Sequence, residues 1–179
     1  MFIEASAVSG RAGLYSEGTI PFEDLQTLAS VLAHDATVEY RRNSWVTEST
    51  GSVMLATPGR WQDFKVDDTL WPGWGDNEVL VPGGIHRITA VAKGFRLFDT
   101  SVLDMRLLRF TGNLDSLART DRGFRFSYDS TLRGLALLNK QPFGILVDGR
   151  PWQDQVLPHS GRWSVRLPRG RHSIEVLAD

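Results

Sequence analysis

Aromatic and polar side chains in one glycine- and proline-rich stretch are the residues of this sequence best suited to hold a sugar. The stretch is Trp71-Pro72-Gly73-Trp74-Gly75-Asp76, and Asn77 follows it. On an exposed loop, Trp74 can stack on the C–H face of a sugar ring while Asp76 and Asn77 hydrogen-bond its hydroxyls. Trp61 and Trp45 are further candidates. The alternative is that these rings close the ends of β structures or lie at an interface between them.

Glu17 is the only carboxylate whose place in the sequence resembles that of a catalytic residue. It follows a short apolar strand that ends at Tyr15 and precedes a predicted helix, which is where barrel enzymes place catalytic carboxylates. Glycoside hydrolysis needs two carboxylates, and the sequence assigns Glu17 no partner. The alternative is an acidic residue on an exposed loop, so we predict no catalytic residue in this chain on its own.

Metal and cofactor sites have no support in the sequence. The four histidines are His34, His86, His159 and His172, no two of them have the helical spacing of a zinc site, and the chain has no cysteine. Phosphate-binding glycine motifs are also absent from the sequence. We therefore predict neither a metal nor a cofactor.

Charge and hydropathy narrow the classes of partner. The 179 residues include 20 Lys and Arg against 21 Asp and Glu, a net charge of −1, whereas nucleic-acid binders usually carry a basic excess. No apolar run approaches the roughly 20 residues that span a bilayer. The segment Met1–Ser6 lacks the basic and apolar regions of a signal peptide. We expect no nucleic-acid or membrane partner, and the compartment stays open.

Two stretches of the sequence recur about 80 residues apart. Val66-Asp67-Asp68-Thr69-Leu70-Trp71 matches Val147-Asp148-Gly149-Arg150-Pro151-Trp152, and Val81-Pro82-Gly83-Gly84-Ile85-His86 matches Leu167-Pro168-Arg169-Gly170-Arg171-His172. Short alternating strands separated by Asp, Gly and Pro turns are typical of a sandwich or barrel. We therefore predict a mainly β chain with two tandem immunoglobulin-like β-sandwich repeats, over residues 36–94 and 121–179.

The repeat also assigns structural roles to several side chains. Trp71 and Trp152 occupy matching positions, so we expect both to pack on the edge or core of their repeat. His86 and His172 also match, and we expect each imidazole to pack on a neighbouring Trp or to bond a turn carbonyl. Trp163 lies in an alternating strand and is predicted to be buried.

Two segments lie outside the repeat. Residues 95–120 are predicted to connect the copies, with one strand near Met105–Phe110. Residues 1–35 are predicted to form a strand over Arg11–Tyr15, without a partner strand of its own kind, and a helix that starts at Pro21. This segment either packs on the first repeat or is the end of a larger α/β domain.

Taken together, the strand–helix start, the "Val-Pro-Gly-Gly-Ile-His" segment and the "Leu-Pro-Arg-Gly-Arg-His" segment resemble the C-terminal region of large bacterial glycoside hydrolases. In that family, immunoglobulin-like accessory domains follow a catalytic barrel. The resemblance implies an exported accessory module that binds a polysaccharide or oligosaccharide, or supports a catalytic domain in the same chain or another. The alternatives are a purely structural or protein-interaction module, and an enzyme fragment in which Glu17 completes an active site supplied elsewhere.

Overall fold

The computed structural model of the protein describes residues 2–6, 11–15, 36–41, 44–57, 59, 61–75, 77–92 and 104–179. These residues form mainly β structure, and every strand pairing among them is antiparallel. The predicted mainly β class is therefore confirmed. The predicted helix after Pro21, together with Glu17, lies outside the described residues.

The predicted N-terminal strand is present, and it has a partner. Strand β2 covers Arg11–Tyr15, as the sequence predicted, and pairs with β1, Phe2–Ser6. The expectation of a strand without a partner of its own kind was wrong. The strand Phe2–Ser6 was not predicted from the sequence.

The next eight strands form two sheets, which together we call unit 1. The larger sheet has the order β3-β4-β10-β6-β7 and the smaller has the order β5-β9-β8. The strands are β3 Ala36–Arg41, β4 Ser44–Ser49, β5 Val53–Ala56, β6 Trp61–Val66, β7 Thr69–Leu70, β8 Trp74–Gly75, β9 Glu78–Val81 and β10 Gly84–Ala92.

The last nine strands, which we call unit 2, repeat this arrangement. Its sheets have the orders β12-β13-β19-β15-β16 and β11-β14-β18-β17. The strands are β11 Leu107–Phe110, β12 Asn113–Thr120, β13 Gly123–Ser130, β14 Gly134–Leu138, β15 Gly144–Val147, β16 Arg150–Pro151, β17 Val156–His159, β18 Arg162–Leu167 and β19 Gly170–Leu177. Strand for strand, unit 2 has the order of unit 1 with β11 added at one edge.

The register of the sheets repeats along with their order. Ile88 lies opposite Val66 in unit 1, and Ile174 lies opposite Val147 in unit 2. Val66 and Val147 begin one pair of matching sequence segments, and Ile88 and Ile174 each lie two residues after the end of the other pair. The strand predicted near Met105–Phe110 is confirmed as β11, and β12 lies in the range that the sequence analysis gave to the connector.

The turn after β6 and its counterpart after β15 reverse the chain in two residues. Asp67 and Asp68 have φ of 48° and 64°, and Asp148 and Gly149 have 52° and 76°. Two successive residues with positive φ give the hairpin turn whose twist matches that of the strands, and Asp, Asn and Gly accept this conformation at the lowest cost. The turns that Asp-Asp and Asp-Gly predicted from the sequence are therefore present in the structure.

Each unit is tied across its two sheets by a tryptophan. The Trp71 indole Nε1–H donates to the carbonyl oxygen of Leu80 at 2.8 Å, and that of Trp152 donates to Arg166 at 2.9 Å. Since Leu80 and Arg166 belong to the smaller sheets, each indole joins the end of one sheet to the other. The expected structural role of both tryptophans is confirmed.

A continuous hydrophobic core runs through both units. It contains Phe64 and Ile88 from unit 1, and Phe126 and Ile174 from unit 2, all fully buried. Strand β13, which contains Phe126, alternates buried and more exposed side chains over most of its length, which is the pattern of a sheet with one face on a core. The buried side chains of the two units therefore belong to a single core rather than to two separate ones.

Candidate functional site

Trp74, the leading candidate for sugar stacking, lies where the two units meet. Its Nε1–H donates to Asp63 Oδ1 at 3.0 Å, and the Arg106 guanidinium carbon lies 4.2 Å from its ring centroid. Its ring packs edge-on against Phe64, with 5.3 Å between ring centroids. An arginine over an indole face makes a favourable cation–π contact. One face of Trp74 is thereby covered, and its single polar group already has a partner.

Asp63 is the centre of this cluster, which we call the seam cluster: Asp63, Trp74, Arg106 and Arg119. Arg119 Nη2 lies 3.3 Å from both carboxylate oxygens of Asp63. The Arg119 side chain is only 11% exposed, and Asp63 is 24% exposed. Burial lowers the pKa of Arg119 while the Asp63 carboxylate opposes that shift. The pair joins β6 of unit 1 to β12 of unit 2 at a site with little solvent.

Hydrogen bonds around Ser52 hold the same two units together. The Ser52 amide donates to Asn113 Oδ1 at 2.9 Å, its hydroxyl donates to the Gly112 carbonyl at 3.3 Å, and its oxygen accepts from the Leu114 amide at 3.1 Å. Ser52 is fully buried, so each of these bonds replaces one that water would otherwise make.

Two glycines allow the close approach of unit 2. A Cβ added to Gly73 would lie 2.6 Å from Leu117 Cδ2, and one added to Gly75 would overlap Leu108. The Pro- and Gly-rich stretch around Trp74 is therefore a packing surface for β11 and β12. The glycines that suggested an exposed binding loop in the sequence are instead the small residues that the close contact between the two units requires.

A second arrangement of polar side chains occurs once in each unit, and we call it the Asp–His clasp. In unit 1, His86 Nδ1 lies 2.7 Å from Asp67 Oδ2, and Nε2 lies 3.2 Å from the Gly83 carbonyl oxygen. In unit 2, His172 Nδ1 lies 2.7 Å from Asp148 Oδ2, and Nε2 lies 2.9 Å from the Arg169 carbonyl oxygen. The expected bond from each imidazole to a turn carbonyl is confirmed, whereas the aspartate partner was not anticipated.

Both ring nitrogens of each clasp histidine face an acceptor. A carbonyl oxygen and an ionised carboxylate can only accept, so both bonds form together only in the doubly protonated imidazolium. The hydrogen bond that His172 donates to the Asp148 carboxylate raises the pKa of His172. Hydrogen bonds from His172 and the Ser173 amide lower the pKa of Asp148. Neither ring nitrogen is left to act as a general base, so the clasp fastens a turn to a strand.

The other predicted sugar-contact residues are dispersed. Trp45 is buried among the rings of Tyr40, Trp61 and Phe64. Trp61 is half-buried, and its Nε1–H donates to the Thr57 carbonyl at 3.3 Å. Asn77 is exposed in a turn with φ of 65°, and Asp76 lies outside the described residues. Trp163, predicted to be buried, is half-buried against the core of unit 2.

Sequence reasoning missed Asp63, Arg106 and Arg119. None of them belongs to a repeated motif, and Arg119 lies in the range assigned to the connector. Asp67 and Asp148 did carry a signal, because they match in the repeat and stand beside the matching tryptophans. That signal was interpreted as turn chemistry alone.

Two absences hold for the described part of the chain. No group of three or more His, Cys, Asp or Glu in it is arranged to hold a metal ion. Among the same residues, no helix has the length and apolar character needed to cross a membrane.

Comparisons with known proteins leave the family open. No protein-family model matches the chain, and neither the curated proteins nor the solved structures include a significant match to it.

Proposed function

We propose that this chain is a non-catalytic structural module in which two immunoglobulin-like β-sandwich units are held in one fixed arrangement. The observation that carries the proposal is the use of Trp74 in the seam cluster, where its ring and its N–H are occupied by Arg106 and Asp63. The repeated strand order supports the two-sandwich description. In this interpretation the aromatic residues provide rigidity, and function lies in what the module supports or spaces apart.

The seam has the features of a permanent contact. It combines a poorly exposed ion pair, three hydrogen bonds around Ser52 and two glycines without room for a side chain. Flexibly linked domains instead meet through more polar surfaces and move relative to each other by default. A module of this kind suits a larger polysaccharide-active protein, as the family resemblance implies, where it would support a catalytic domain.

Calorimetry tests whether the units act as one body. We expect a single thermal transition whose calorimetric and van't Hoff enthalpies agree, because unfolding either unit exposes the core of the other. Two well-separated transitions in the unaltered chain would show that the units are independent, and the proposal would then be wrong.

A glycan-binding role is the second proposal, supported by the partial exposure of Trp61 and Trp74. Affinity electrophoresis against a panel of soluble polysaccharides tests it. Binding through these rings requires retardation that Trp61→Ala and Trp74→Ala abolish and that Trp163→Ala, a half-buried tryptophan in unit 2, retains. If no polysaccharide retards the unaltered chain, the glycan-binding proposal is wrong and the structural-module proposal is unaffected.

A further inference from the structure

Strand β3 leaves an apolar face open at the edge of unit 1. Among the strands that the structure describes it is the outer one of its sheet, and Val38 and Tyr40 are 51% and 62% exposed. Their cross-strand neighbours Thr47 and Trp45 are buried. Directly opposed residues of an antiparallel pair point to the same side of the sheet. Val38 and Tyr40 therefore extend the core-facing side of the sheet beyond the core itself.

The same two positions are buried in unit 2. Leu114 lies opposite Tyr128 and Leu117 lies opposite Phe126, in the places that Val38 and Tyr40 take in unit 1. Both leucines are buried because unit 1 covers them: Ser52 bonds the Leu114 amide, and Gly73 lies against Leu117. A face that one unit buries fully is thus exposed in the other.

The edge of unit 1 also lacks the devices that protect other outer strands. Strand β12 is interrupted by a register shift between Leu114 and Ser116, and β17 contains Pro158. Bulges and prolines are how natural proteins prevent strand edges from pairing. Strand β3 contains no proline, and its register with β4 is unbroken over six residues. Among the described outer strands of the two units, it is the longest that has neither a proline nor a register shift.

We propose that β3 pairs with β3 of a second copy of this chain, antiparallel, about a two-fold axis at Val38. Two residues that lie opposite each other in an antiparallel pair point their N–H and C=O groups the same way, either both toward the partner strand or both away from it. In two copies of one strand, opposed residues must therefore be an even number of positions apart. The two-fold axis then passes through a single residue position. With the axis at Val38, Ala36 lies opposite Tyr40 of the second copy and Thr37 lies opposite Glu39. This register brings the apolar faces of the two β3 strands together, and it places no two side chains of the same charge opposite each other. An axis at Glu39 would place two carboxylates together.

A head-to-tail arrangement is disfavoured by the surface of unit 2. Unit 1 receives β12 through Ser52 and Gly73. In unit 2 the position of Ser52 is taken by Arg133, which forms an ion pair with Asp154 at 2.8 Å. Docking β3 there would desolvate both charges against apolar side chains, which is costly. The symmetric β3 pair is therefore the arrangement that this surface favours.

Sedimentation equilibrium of the full chain tests the proposal. With the axis at Val38, the two β3 strands pair over Ala36–Tyr40. A strand pair of this length buries less than the roughly 1,200 Å² of a standard interface, so we expect a dissociation constant on the order of 10–100 µM. Val38→Lys and Val38→Glu should each weaken association by about tenfold or more, because they put like charges on the axis. An equimolar mixture of the two variants should restore association, since Lys then faces Glu.

Leu157→Lys is the matched control, because Leu157 is 41% exposed on the outer strand β17. It should associate as the unaltered chain does. If the unaltered chain stays monomeric up to about 500 µM, the proposal is wrong. The apolar face of β3 would then be covered by something else, such as a different protein or another segment of this chain. Undiminished association of Val38→Lys, or no recovery in the mixture, also overturns the proposal.

Discussion

Replacing Arg119 with methionine tests the claim that the seam cluster locks the two units. Methionine keeps the length and apolar stem of the side chain but removes the charge that Asp63 faces at 3.3 Å. Removing one partner of a fully buried pair costs about 3–5 kcal/mol. Asp63 keeps some solvent contact and two other donors, the Trp74 indole at 3.0 Å and the Phe64 amide at 2.8 Å. We therefore expect a loss of about 2 kcal/mol in the free energy of unfolding.

Arg109→Met is the control, because Arg109 also joins the two units through an ion pair. Its Nη2 lies 2.7 Å from Glu78 Oε2, closer than Arg119 lies to Asp63, but its side chain is 57% exposed. Exposed pairs contribute about 0–1 kcal/mol, so this substitution should cost less than about 0.5 kcal/mol. Comparing the two variants therefore shows whether burial or interatomic distance determines how much each ion pair stabilises the chain.

Urea denaturation followed by tryptophan fluorescence measures both variants. A loss of about 2 kcal/mol corresponds to a fall of about 4–8 °C in Tm for a chain of this size. A double-mutant cycle with Asp63→Asn should return a coupling of about 1–2 kcal/mol. The reasoning is refuted if Arg119→Met costs less than about 0.5 kcal/mol, or if Arg109→Met costs as much.

Two further predictions concern the features that repeat in both units. Asp148→Asn should lower the pKa of His172 in a proton NMR titration, because the hydrogen bond that His172 donates to Asp148 is the largest cause of the raised pKa; an unchanged titration would contradict the clasp. In the unaltered chain, the stabilisation from His172 is complete below its unfolded pKa of about 6.5 and disappears as pH rises through the folded value. The stabilisation from Asp148 is present above about pH 3.9 and disappears as pH falls, so the His172–Asp148 clasp of unit 2 stabilises most between about pH 4 and 6.5. Trp71→Phe should cost about 2 kcal/mol on thermal unfolding, since it leaves the buried Leu80 carbonyl without its indole donor and reduces packing; a cost below about 0.5 kcal/mol would show that the cross-sheet bond is dispensable.

The repeated elements of the fold were predictable because they depend on local chemistry. Asp-Asp and Asp-Gly favour a tight turn where they join two short apolar strands, because the turn needs positive φ and these residues adopt it at lower cost than most others. Matching tryptophans and histidines at matching offsets indicated shared structural roles, and the hydrogen bonds of Trp71 and Trp152 are indeed equivalent.

The position of each tryptophan relative to solvent was not predictable in the same way. Trp74 and Trp45 were both candidates for an exposed platform, and neither has a local signal that distinguishes stacking on a sugar from packing on protein. Contacts that form only in the folded chain decided the outcome. Arg106 covers Trp74 from the connector, and Trp45 is buried among rings of its own unit.

The sequence alone thus determined the β class, the turns and the duplicated pattern, because alternation and turn residues act over a few positions. The tertiary structure decided how the two units meet. Asp63 and Arg119 are 56 residues apart and belong to no motif, yet packing brings them within 3.3 Å and excludes most of the water around them. The strength of that pair comes from burial, and burial is a property of the folded chain rather than of any segment.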